Sequence, residues 1–361
     1  MKVAVISSYA WIIRANNYGA LLQYYALQQY LRKRGHHVYW IRCLSGGREL
    51  RYSTITYFKS LLKGELFYYK NAISCHEAFM NFVGRFLSLS ESQYENNEDL
   101  SQNPPMADIY ITGSDQVWGG VLKENYLRFV NDNSKKVSYA ASFGTSSKPE
   151  SQLRIIKPWL QVFRAISVRE ASGLDICKSM GIEAKLLIDP TLLLDRSEYP
   201  TMKLDLPDYI FCYFLNVKDL ESIRWKELKD FAKSKNCELK ICAVQGSEKF
   251  FPKEYLVNLS PEEWLGYYKY AKFVVTNSFH GTAFSIVFKK NFVVILQQGN
   301  SKAQNTRMEN ILAMFDLKKR FIAPTDNIEK IMNGDIDWND VELKIQEQRL
   351  RSDTYFRSLE L

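Results

Sequence analysis

The stretch Ala271 to Phe288, AKFVVTNSFHGTAFSIVF, decides the reading of this chain. Lys272 to Thr276 is β-branched and apolar, as suits a strand covered on both faces, while Ala283, Phe284, Ile286, Val287 and Phe288 suit a buried helix. The strand pattern stops at Asn277, leaving Ser278, His280 and Gly281 at the junction. In open α/β sheets ligands collect where strands end and helices begin. The first helical turn there presents unpaired amides and a partial positive charge that attract anions. His280 is the one histidine of the four at such an edge, and an imidazole exchanges its proton near neutral pH. A plainer reading fits the same residues: Asn277 or Ser278 caps the helix and His280 is packed and hydrogen-bonded.

Outward from this junction the pattern repeats. Strand signals at Val3–Ile6, Val38–Arg42, Asp108–Thr112, Val137–Ala141, Ala165–Val168 and Lys185–Ile188 alternate with helical stretches. The clearest helix is Gly19–Arg34, with Leu22, Tyr25, Ala26, Gln29 and Tyr30 at helical spacing. Such alternation implies a parallel sheet with helices on both faces. The pattern lapses between Asp195 and Pro207 and resumes with strands at Tyr209–Leu215, Leu239–Val244, Phe273–Thr276 and Phe292–Leu296. A chain of 361 residues is long for one core. The expected fold class is therefore α/β, with two Rossmann-like domains over 1–197 and 205–335. A helical insertion without a strand is expected at about 52–103, and a C-terminal helix over 338–361, with Leu343, Leu350, Phe356 and Leu359 available for docking. Ser260-Pro261-Glu262-Glu263 reads as a helix start.

Composition excludes several classes. The six cysteines are scattered with no CxxC pair, so reduced core thiols are expected, with neither a disulfide framework nor a metal site. The net charge of +8 favours acidic partners such as phosphorylated substrates or an anionic membrane surface, but the basic residues are dispersed and no nucleic-acid motif accompanies them. The chain opens MKVAVISSYA directly into a strand pattern, and Lys289-Lys290 interrupt its longest apolar run, so a cytoplasmic protein is expected.

Other strand ends carry candidate ligands. Asn17-Tyr18-Gly19 precedes the first helix, where glycine admits close backbone approach, although a tight turn with a cap explains it equally. Gly113-Ser114-Asp115-Gln116-Val117-Trp118 follows another strand. Ser114 and Asp115 suit sugar hydroxyls and Trp118 suits stacking on a sugar ring, with helix capping as the competing reading. Arg169, in Ser167-Val168-Arg169-Glu170, has the fork geometry to grip a carboxylate or phosphate; an ion pair with Glu170 is the alternative. Arg307 sits at a helix start as another anion ligand. Asp189-Pro190-Thr191 reads as a strand terminator.

Taken in order, NYGALLQ (Asn17–Gln23), GSDQVW (Gly113–Trp118), YAASFG (Tyr139–Gly144), SVRE (Ser167–Glu170), DPTLLL (Asp189–Leu194) and TNSFHGTAFS (Thr276–Ser285) resemble the polysaccharide pyruvyl transferase family. The resemblance implies the fold of two-domain, GT-B type glycosyltransferases, with the acceptor on the N-terminal side, the donor on the C-terminal side and the last helix crossing back. It implies transfer of a pyruvyl group from phosphoenolpyruvate to two hydroxyls of a sugar, giving a cyclic ketal and phosphate, with no cofactor. His280 is then the general acid; Arg169, Ser278, Gly281 and Arg307 serve the donor; Asn17, Gly19, Ser114, Asp115 and Trp118 serve the acceptor. The implied partners are phosphoenolpyruvate and a sugar or lipid-linked oligosaccharide, met at the inner face of the membrane. Other branches of the family often carry arginine two residues before the histidine, where this chain has Ser278; Arg307 or a lysine then supplies the charge, or the donor differs. Two further readings use the same cleft: a nucleotide-sugar glycosyltransferase and a non-catalytic partner in polysaccharide assembly.

Overall fold

The computed structural model describes residues 1–9, 17–45, 47, 52–299, 305–323 and 325–361. Strands β1 (Lys2–Ile6), β2 (His37–Cys43), β3 (Leu89–Tyr94), β4 (Ile109–Thr112) and β5 (Lys136–Ser138) form one sheet in the order β3-β2-β1-β4-β5. All its pairings are parallel. The short parallel pair β6 (Ser167–Val168) and β7 (Lys185–Leu186) continues it through single bridges from Val137 to Ala165 and from Ala141 to Val168. The second sheet, β8 (Tyr209–Leu215), β9 (Glu238–Val244), β10 (Phe273–Thr276) and β11 (Asn291–Val294), is parallel in the order β11-β10-β8-β9. Its central β8, YIFCYFL, is buried along all but its last residue, because helices cover both faces.

These strand orders fix where a ligand can sit. In the first sheet the connections leave β1 and β4 in opposite directions, and in the second they diverge between β8 and β10, so each sheet opens a crevice beyond the carboxyl ends of those strands. The helix Tyr18–Arg32 follows β1, and the helix Phe279–Val287 follows β10. They meet across the seam. Tyr18 stacks on Trp264 at 5.1 Å and donates its hydroxyl to the Leu259 carbonyl at 2.7 Å, so one apolar core runs through both halves. The architecture is α/β, two Rossmann-like units facing each other in the GT-B manner.

The last helix, Trp338–Arg357, packs on the first half: Tyr355 donates to the Ser138 carbonyl, Tyr139 to Ser352 Oγ, and Arg349 to the carbonyls of Leu192 and Leu194. Of the four apolar residues expected to dock this tail, Phe356 and Leu359 are buried, whereas Leu343 and Leu350 are 66% and 65% exposed, since they fall on the solvent face of the helix. The segment 52–103 holds helices Thr54–Leu62, Leu66–Phe86 and Asn97–Gln102, but it also contains β3, contrary to the helical expectation. Its sequence LSESQY buries only two side chains because it is an edge strand, and its composition hides the pairing. All six cysteines are free thiols. Among the described residues no helix is long and apolar enough to cross a membrane.

Candidate active site

The junction after β10 is built by local bonds. Asn277 does not cap the helix: its side chain clips β10 to β8, accepting from the Leu215 amide at 2.8 Å and donating to the Leu215 carbonyl at 2.7 Å. Ser278 is the cap, its Oγ accepting from the Gly281 amide at 3.4 Å while its own amide donates to Thr276 Oγ1. The amides of Phe279 and His280, at the first two helical positions, have no intrahelical carbonyl to meet. Gly281 is required by contact, since a β-carbon there would lie 2.1 Å from Thr276 Oγ1. Ser278 and Gly281 thus shape the helix start, and their side positions are already occupied by that task.

His280 projects from this turn onto the other half of the molecule. A β-carbon at Gly19 would lie 2.1 Å from its Nδ1, so the imidazole rests directly on the first turn of the helix Tyr18–Arg32. Asn17 caps that helix through the Ala20 amide at 3.1 Å. The other ring nitrogen, Nε2, is buried without a hydrogen-bond partner, 3.8 Å from Asp189 Oδ2.

Asp189 ties the site together. Its Oδ2 accepts from Arg169 Nη1 at 2.6 Å and from Ser114 Oγ at 2.9 Å, and its Oδ1 accepts from the amide and hydroxyl of Thr191. Burial alone would raise its pKa, yet His280 and the Arg169 guanidinium beside it hold the carboxyl well below the usual carboxylate range. Arg169 also meets Glu170 at 3.1 Å and Asp115 at 3.8 Å. Burial opposes its charge, but these carboxylates outweigh burial and push its pKa up. Its guanidinium stacks on the Phe279 ring at 4.1 Å, and one nitrogen, Nη2, makes no hydrogen bond.

Arg307 faces the same Phe279 ring at 5.9 Å. Its pKa is pushed down to about 10, first by burial and then by the like charge of Arg169. A second cation therefore reaches the site from the helix Asn305–Met314, although Ser278 stands where an arginine was expected. An anion placed between the two guanidiniums would relieve their repulsion. Between the helices Ala171–Ser179 and Asn305–Met314 lies a cavity of about 530 Å³, lined in part by Ser172, Asp175, Thr306 and Asn310.

The structure thus gathers His280, Arg169, Arg307, Gly19, Ser114 and Asp115 at one seam. It does not bring Trp118 there. That indole is fully buried, stacked on Tyr126 and donating to the Asn125 carbonyl, so its faces are closed to a sugar ring. The Arg169–Glu170 ion pair offered by the sequence is present at 3.1 Å, whereas Asp189 and Phe279 carry no such expectation. The signal for Asp189 was the Asp-Pro-Thr turn, which reads as a strand terminator until its carboxylate is seen between Arg169 and His280.

A model of the family described as polysaccharide pyruvyl transferase matches residues 17–298. No curated protein matches the sequence. Among solved structures, the UDP-GlcNAc 2-epimerase of Methanocaldococcus jannaschii superposes with a TM-score of 0.52 at 11% identity, over 98% of this chain and 100% of its own. The MnaA protein of S. aureus, solved with UDP, gives 0.50 at 10% identity over 97% and 89%. At such identities the likeness is one of fold.

Proposed function

The chain belongs to the polysaccharide pyruvyl transferase family and is a transferase, and we propose that it moves a pyruvyl group from phosphoenolpyruvate onto two hydroxyls of a sugar in a cell-surface polysaccharide precursor, closing a cyclic ketal and releasing phosphate. The observation that carries this reading is the buried Nε2 of His280, which makes no hydrogen bond and faces Asp189 at 3.8 Å, next to Phe279, whose ring carries the guanidiniums of Arg169 and Arg307. Protonation of the donor's methylene carbon by His280 creates an oxocarbenium-like centre at C2, to which the first sugar hydroxyl adds. Phosphate then leaves and the second hydroxyl closes the ring. One hydroxyl proton restores the acid and the other departs with phosphate.

Arg307, the guanidinium of Arg169 and the helix N-terminus at Phe279 and His280 hold the donor's carboxylate and phosphate. Arg169 contributes mainly by position, because three carboxylates already answer its charge. The acceptor enters from the N-terminal half, carried on a lipid-linked oligosaccharide at the inner membrane face, where the net charge of +8 aids a visit to an anionic surface. His280→Ala tests the reading: phosphate release from phosphoenolpyruvate in the presence of acceptor should fall by roughly 10²–10⁴-fold while the thermal midpoint stays close to wild type. Undiminished release would remove His280 as the acid.

A further inference from the structure

Gln23 lies one turn after Gly19 on the helix Tyr18–Arg32, on the face that meets His280, and it is 0% exposed. Its amide nitrogen donates to Ser7 Oγ at 2.8 Å and to the Ala20 carbonyl at 3.0 Å. A backbone carbonyl only accepts, so the Ala20 bond fixes which way the amide points. The other amide atom, Oε1, is then a buried carbonyl oxygen with no hydrogen-bond partner. A buried polar atom left unpaired costs free energy, and helix and strand give it no compensation here.

The surroundings say what would pair with it. Ser7 ends the β1 side of the crevice and donates to the Ser114 carbonyl across the β1–β4 switch; Ser114 in turn donates to Asp189, which faces His280. Gln23 is thus bonded into the wall of the proposed site. Three side-chain atoms of this wall are buried and make no hydrogen bond, but Arg169 Nη2 and His280 Nε2 each face a carboxylate at 3.8 Å, Asp115 and Asp189 respectively, whereas Gln23 Oε1 faces no such group. They differ in chemistry. The guanidinium and imidazole nitrogens each already have a carboxylate at 3.8 Å, whereas the amide oxygen requires an O–H or N–H donor and repels the carboxylate and phosphate of an enolpyruvyl donor. A sugar hydroxyl is the group in the proposed reaction that meets this demand. We propose that Gln23 is a sugar-binding residue whose Oε1 accepts a hydrogen bond from a hydroxyl of the acceptor, which orients that hydroxyl at the crevice. The inference rests on the transfer reading above and names the residue that would recognise its sugar.

The test uses the full chain, saturation-transfer NMR with a panel of methyl glycosides, and calorimetric titration with phosphoenolpyruvate. Gln23→Met keeps the shape and removes both polar atoms. Gln23→Glu keeps an oxygen that accepts but loses the nitrogen that bonds Ser7 and Ala20. Wild type should bind at least one glycoside, Gln23→Met should bind it about tenfold more weakly or not at all, and Gln23→Glu should retain it. Phosphoenolpyruvate affinity should be unchanged in Gln23→Met. If Met and Glu variants lose the glycoside alike, Gln23 acts through its nitrogen as a structural residue and the proposal is overturned. It is equally overturned if Gln23→Met binds the glycoside as wild type does, or if wild type binds none of the panel. Failure of wild type to bind phosphoenolpyruvate, with glycoside binding still dependent on Gln23, would instead sink the donor assignment and leave this inference standing.

Discussion

Asp189 and Gly19 show how much of the site depends on single atoms. Asp189 is wholly buried and pairs with a buried arginine, so Asp189→Asn leaves the Arg169 charge short of a partner and should destabilise the protein by about 3–5 kcal/mol in denaturant unfolding. The sign with pH follows from its depressed pKa. The carboxylate's contribution is fully present above the unfolded carboxyl value near about pH 4 and is lost as pH falls toward its lower folded value. The stability gap between wild type and Asp189→Asn should therefore be flat from neutral pH to about pH 5 and narrow below about pH 4. A gap that stays constant into acid would show that Asp189 is not the charged partner described. Gly19→Ala places a methyl group against the imidazole, so His280 must swing away or the halves must part. Phosphate release should drop by about tenfold or more with a smaller loss of thermal stability, and an unaffected rate would mean that the imidazole does not work from this position. At this scale the sequence was only partly legible. His280 and Arg169 stand out in the sequence at strand ends, and the Arg169–Glu170 pair is offered by adjacency, but Asp189 and Asp115 join Arg169 from two other segments, which no spacing reveals.

The elements were more legible than their side chains' duties. The apolar runs of β8 and β10 and the amphipathic stretch after Gly19 fold as their patterns require, because both faces of each sheet are covered. The helix after β10 begins where its cap residue says it should, and Ser260 opens another helix with a complete capping box. β3 escaped notice because edge strands tolerate polar residues, and β6 and β7 are shorter than their patterns since, among the described residues, they form a two-residue pair joined to the first sheet by single bridges at Val137 and Ala141. A cap makes a quantitative claim about Ser278. Ser278→Ala should cost about 1 kcal/mol of stability, read from the denaturant midpoint, because Oγ answers the Gly281 amide. A loss of phosphoenolpyruvate binding with stability unchanged would mean that this hydroxyl serves the donor instead of the helix.

For the whole molecule, the consequence of the fold is that the groups of the proposed site come from opposite halves. His280 follows β10 of the second sheet, while Gly19, Asp189 and Arg169 belong to the first half, so the site exists only when the halves are apposed. The last helix stabilises the first half from outside: Phe356 is fully buried against Tyr139 and Tyr30. Phe356→Ala should therefore cost about 3–5 kcal/mol of unfolding free energy, and a negligible change would show that the helix is only loosely docked. The alternation of strands and helices made the two-fold architecture readable in advance; the seam was not, because it is formed by contacts such as Tyr18 with Trp264 that lie far apart in the chain. The central claim is that this seam takes an enolpyruvyl donor and not a nucleotide. Calorimetric titration of the full chain with phosphoenolpyruvate and, separately, with UDP, repeated on Arg307→Ala, tests it most directly. The account predicts that phosphoenolpyruvate binds, that Arg307→Ala weakens it by about tenfold, and that UDP gives no heat. Binding of UDP alone would contradict the account and assign the cleft to glycosyl transfer.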